Sequence, residues 1–111
     1  MRVVKRWAFK KLPHLMTLDL SSNQLVKVYS KGFEGMDNLQ TLSLQYNKLR
    51  SMARFLDTLP RLYQLNLAFN KLRSISKNDL KTPTRIHYLD LRNNRISKIH
   101  PEAFAHLKLL R

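Results

Sequence analysis

LMTLDLSSNQL (residues 15–25), LQTLSLQYNKL (39–49), LYQLNLAFNKL (62–72) and IHYLDLRNNRI (86–96) are four copies of one string. In each, an apolar residue, two leucines two apart, an asparagine and a final apolar residue keep the same spacing. The copies start at residues 15, 39, 62 and 86, and Asn23, Asn47, Asn70 and Asn94 recur in step with them. Leu18/Leu20, Leu42/Leu44, Leu65/Leu67 and Leu89/Leu91 have the period of two that buries one face of a strand. Each copy therefore predicts one short parallel strand.

Working outward from these strings, further apolar columns appear. Val28, Met52, Ile75 and Ile99 align; so do Phe33, Leu56, Leu80 and Phe104; so do Met36, Leu59, Pro83 and Leu107. The third full copy starts one residue early, and the missing residue falls between Met52 and Leu56. Phe9 joins the phenylalanine column, which reads as core on the far side of each coil. A strand buried on one face cannot be covered by its own repeat, so coils must stack and share a continuous core. The asparagine amide, with two donors and an acceptor, is suited to bonding the backbone of adjacent coils.

The expected fold class is α/β: a curved, right-handed solenoid with short parallel strands on the concave face and irregular or short helical turns on the convex face. The array is expected to fill residues 1–111. It comprises a partial repeat over 1–14, full repeats over 15–38, 39–61, 62–85 and 86–109, and the start of another at 110–111. No caps are expected, so the chain reads as a fragment of a longer array whose uncapped ends can self-associate.

The columns resemble the roughly 24-residue class of leucine-rich repeat, and the segment 96–110, ISKIHPEAFAHLKLL, is similar to the turn-and-phenylalanine segment of extracellular repeats. The resemblance implies a ligand-binding ectodomain of the kind found in Toll-type receptors, small proteoglycans and cell-adhesion proteins. It implies an extracellular or cell-surface location as part of a membrane protein. The chain has no cysteine, hence no cysteine-rich cap, and no window approaches the length of a membrane span. No membrane insertion by this segment is expected.

Strand residues pointing away from the core form rows: Met16, Thr17, Asp19, Ser21 and Ser22; Gln40, Thr41, Ser43, Gln45 and Tyr46; Tyr63, Gln64, Asn66, Ala68 and Phe69; His87, Tyr88, Asp90, Arg92 and Asn93. With strands about 4.8 Å apart, Tyr46 falls beside Phe69 and Tyr63 lies one column from Tyr88. Tyr46, Tyr63, Phe69, Tyr88, Asp90 and Arg92 are the candidate protein-binding residues, because exposed aromatics with an arginine match interface hot spots. The alternative is cross-strand packing that stabilises the sheet alone.

The formal charge is +14, from 21 Lys and Arg against seven Asp and Glu. Such an excess favours acidic partners and says nothing of fold. Ten basic residues and no acid fall in the 31 positions that follow the asparagines (24–32, 48–54, 71–78, 95–101). Random placement would give roughly six and two. Lys48, Lys71 and Arg95 share a column, with Arg50, Arg73 and Lys98 close by. These six are a candidate site for a polyanion, a heparin-like glycan or a nucleic acid, against the alternative of a solvated edge. An intracellular scaffold is a further reading.

No enzyme is expected. Asp19 and Asp90 share a column three strands apart, about 14 Å, too far for a glycosidase carboxylate pair. His14, His87, His100 and His106 fall in different columns without metal-ligand spacing. Neither cofactor, metal nor small-molecule substrate is expected, and the leading partner is a protein.

Overall fold

The computed structural model describes residues 3–4, 12–29, 32–51, 55–75 and 86–99. Among the described residues eight strands run in chain order: β1 (Val3–Val4), β2 (Thr17–Asp19), β3 (Lys27–Val28), β4 (Thr41–Ser43), β5 (Gln64–Asn66), β6 (Ser74–Ile75), β7 (Tyr88–Asp90) and β8 (Lys98–Ile99). A 3-10 helix covers Phe55–Thr58.

β2, β4, β5 and β7 form one parallel sheet in that order, one strand from each repeat. Its register aligns Leu18, Leu42, Leu65 and Leu89. The repeats thus stack in sequence, as the leucine columns require. Hydrogen bonds continue past the strands: Leu20, Leu44 and Leu67 N–H donate to Ser43, Asn66 and Asp90 carbonyls at 2.8–2.9 Å.

Two smaller parallel pairs lie beyond the asparagines, β1 with β3 and β6 with β8. The apolar column at Val28 and Ile75 explains them: both side chains are buried while Lys27 and Ser74 are exposed, so a two-residue alternation suffices for local pairing. In the second full repeat the corresponding Ser51 is not in a strand.

One core runs through the coils. Leu25, Phe33, Met36, Leu39, Leu42, Leu44, Leu56, Leu59, Leu62, Leu65, Leu67 and Leu72 are fully buried. Leu15, Leu18, Leu89, Leu91 and Ile96, in the first and last of the four repeats, are partly buried against it. Phe33 and Leu56 fill the same column on the far side of the coil from the sheet, as the spacing implies. Phe9, Met52, Leu80, Pro83, Phe104 and Leu107 lie outside the described residues, as does the Ile99 side chain.

The asparagine column is a ladder of buried amides. Asn47 Oδ1 accepts from Leu25 N–H at 3.0 Å, and its Nδ2 donates to the Leu20 and Leu44 carbonyls at 3.0 Å each. Asn70 repeats this one coil on, accepting from Leu49 N–H at 3.0 Å and donating to Leu44 and Leu67 carbonyls at 2.9 and 3.1 Å. Asn94 does the same to Leu72, Leu67 and Leu91 from a half-buried position. Each amide joins its own turn to the preceding coil, using both its donors and its acceptor.

Candidate functional site

The residue before each ladder asparagine adopts a left-handed backbone: Ser22, Tyr46, Phe69 and Asn93 have φ of 56°, 59°, 57° and 56°. The chain must turn sharply there to send the asparagine inward, and the side chain before it is thrown outward. For tyrosine and phenylalanine this conformation is rare and costs about 1–3 kcal/mol each. Tyr46 and Phe69 nevertheless stack face to face, with centroids 4.5 Å apart and planes at 9°. They are 55% and 39% exposed. Ring stacking returns about 0.5–1.5 kcal/mol for the pair, less than the backbone cost at two positions.

A second aromatic group lies at the start of the strands. Tyr63 stacks on His87 at 4.3 Å and 25°, and meets Tyr88 edge-on at 5.6 Å and 60°. Tyr63 and Tyr88 are 40% and 46% exposed. His87 is the member that ring chemistry alone overlooks. Its signal is positional: the register pairs Gln64 with Tyr88, so Tyr63 falls opposite His87.

Asp90 and Arg92 lie between the two groups and engage each other. Arg92 Nε donates to Asp90 Oδ1 at 3.0 Å and Nη2 to Oδ2 at 2.9 Å, while the Arg92 backbone N–H also donates to Oδ1. These hydrogen bonds from Arg92 hold the Asp90 carboxyl below the usual carboxylate range, against partial burial. Asp90 in turn holds the guanidinium more firmly protonated, with a smaller contribution from the Tyr46 phenol. The same turn recurs: Asp19 Oδ1 accepts from Ser21 N–H and Asn66 Oδ1 from Ala68 N–H, both at 2.9 Å. The Ser21 hydroxyl donates to Asp19 as well, and this side-chain bond first, then the backbone one, lowers the Asp19 pKa. Asp90 is thus as much a turn residue as a surface one.

A groove of about 490 Å³ runs beside β5 and β7, lined by Gln64, Asn66, Tyr88, Asp90 and Arg92 together with Leu65, Leu89 and Leu91. Of the six sequence-derived sheet-face candidates, Tyr88, Asp90 and Arg92 line this groove, Tyr63 meets Tyr88, and Tyr46 stacks on Phe69. Ala68, in the same outward row, has the smallest side chain there and is only 2% exposed, outside the continuous core cluster.

The basic candidates occupy the wall beyond the asparagine ladder. Lys48, Lys71 and Arg95 N–H groups donate to Leu25, Leu49 and Leu72 carbonyls at 2.7–2.9 Å. Each bond reaches the residue after its column partner, the parallel-sheet pattern, so the three stand on consecutive coils. Lys48, Arg50, Arg73 and Arg95 are exposed and Lys71 is half-buried. Lys98 lies in β8, with its side chain outside the described residues. His14 is exposed, and His100 and His106 lie outside the described residues. Among the described residues no three His, Asp or Glu side chains group to hold a metal, and no helix is long and apolar enough to cross a membrane.

Parallel coils, an internal asparagine ladder and a patterned open sheet face define a repeat solenoid built to present a surface. The leucine rich repeat family matches residues 2–49 and 57–111, and the chain belongs to it. The chain is 32% identical over 102 residues to Podocan of Mus musculus, a match spanning 87% of this chain and 16% of Podocan. It resembles proteoglycan ectodomains in this respect. Family and relative together support a protein-interaction module in general, and the family is generally a non-enzymatic binding repeat.

Proposed function

We propose that this chain is a non-catalytic, protein-binding segment of an extracellular receptor, adhesion or matrix protein, and that its ligand seats on the sheet face. The observation that carries the reading is the Tyr46–Phe69 pair. Two large rings are kept half-exposed on a backbone that disfavours them, and their mutual stacking offsets only part of that cost. Aromatic anchors ringed by polar groups are the usual centres of protein interfaces. Tyr63, His87, Tyr88 and Arg92 extend the surface toward the groove. The extracellular location rests on the likeness to Podocan.

The test uses substitutions matched to the backbone. Asparagine tolerates the left-handed region, so Tyr46→Asn with Phe69→Asn removes the rings without adding strain. Purified secreted and cell-surface proteins are screened for binding to the native chain and the double variant. At least one native-chain partner should weaken about 30-fold or more in the variant, the equivalent of a hot spot of about 2 kcal/mol. If every partner binds both proteins equally, the sheet face is not the site.

A further inference from the structure

We propose that the wall carrying Lys48, Lys71 and Arg95 binds a linear sulfated polysaccharide laid along the solenoid axis. This site is separate from the sheet face and does not rest on the protein-binding reading. Three cationic side chains stand on consecutive coils, fixed there by the parallel backbone bonds from Lys48, Lys71 and Arg95 to the preceding coil. Coils so bonded are about 4.8 Å apart, which sets the repeat of the charges. Arg50 and Arg73 add a second exposed column two residues on.

None of these five groups has an ion-pair partner among the described residues. Asp19 is held by Ser21 and Asp90 by Arg92, both on the sheet face. Like charges at this spacing repel by under about 1 kcal/mol per pair in water. The chain tolerates that repulsion unrelieved, within a total charge of +14, and a polyanion along the column would relieve it at every step.

The geometry favours sulfate groups on a flexible polysaccharide over nucleic acid. Single-stranded nucleic acid binds through aromatic platforms that accept bases. Tyr46 and Phe69, two residues before Lys48 and Lys71, are stacked on each other at 4.5 Å, and the Tyr29 ring is taken by Lys27 Nζ at 4.5 Å, so each of these rings has one face already occupied. Reading a duplex calls for an element that enters a groove, and the described residues hold no helix longer than the four-residue Phe55–Thr58 turn.

The probe is heparin, with chemically desulfated heparin and oligothymidylate as comparisons, titrated against the full chain between about 50 and 200 mM salt. The ladder variant is Lys48→Gln, Lys71→Gln, Arg95→Gln. The control is Lys10→Gln, Arg61→Gln, Lys108→Gln, which loses the same charge outside the segments that follow the asparagines. Lys48→Arg with Lys71→Arg preserves charge on the ladder and guards against damage to the fold. The native chain should bind heparin with log affinity falling linearly in log salt. The ladder variant should lose about tenfold or more in affinity, and its slope should shrink by about two, at ~0.7 per lost contact. The control and the charge-preserving variant should keep the native slope. Equal slopes in ladder and control variants would overturn the proposal. So would undiminished binding of desulfated heparin, or tighter binding of oligothymidylate than of heparin.

Discussion

Replacing Asn70 by alanine tests the internal logic of the coil most sharply. Its amide closes three strong bonds: one from Leu49 N–H at 3.0 Å and two to the Leu44 and Leu67 carbonyls at 2.9 and 3.1 Å. Asn70 is 6% exposed, so water cannot replace the amide without opening the ladder. An orphaned buried donor costs about 1–3 kcal/mol, and the two carbonyls lose one partner each. The sum is about 3–5 kcal/mol, a large part of the roughly 5–15 kcal/mol that holds a domain together. Asn94→Ala breaks equivalent bonds at a half-buried site and should cost clearly less. Denaturant unfolding followed by circular dichroism measures both. A loss below about 1 kcal/mol for Asn70→Ala, or equal losses at the two positions, would refute the view that buried amides join the coils.

Leu67→Ala should cost about 2–5 kcal/mol in the same assay, because the side chain is fully buried in the continuous core. Phe69→Asn alone should leave stability within about 1 kcal/mol of native, the lost stacking being offset by relief at φ 57°; unfolding of this variant would make the ring a structural element. Arg92→Gln should raise the Asp90 pKa toward the ordinary value of about 3.9, read from its carboxyl resonance. Since the native value is depressed, the pair's contribution is present above the unfolded pKa and fades as pH falls through the folded one. With Arg92 76% exposed and Asp90 26%, solvent screens the pair and that contribution should be small.

The four-stranded sheet was legible because leucines two apart can bury only one face of a strand. The ladder was legible because one amide recurs at the coil period. The Tyr46–Phe69 contact followed from strand spacing alone. What the residues concealed was backbone conformation: neither tyrosine nor phenylalanine signals a positive φ, so the cost of placing rings there shows only in the fold. The Asp19, Asn66 and Asp90 turns were marked by short polar side chains in one column, yet Ser43 interrupts that column in the second full repeat. His87 was hidden by Tyr88, whose ring drew attention although register sets His87 opposite Tyr63. The β1–β3 and β6–β8 pairs rest on two-residue alternations too short to read as strands.

The central claim, that a protein ligand seats on the sheet face, is tested most directly by photo-crosslinking. Benzoylphenylalanine placed at Tyr63, in the second aromatic group of the sheet face, is compared with the same group at Arg73 on the basic wall. With a partner found in the binding screen, the account predicts crosslinks from position 63 and none from position 73. Crosslinking from position 73 alone would place the ligand on the wall and contradict it.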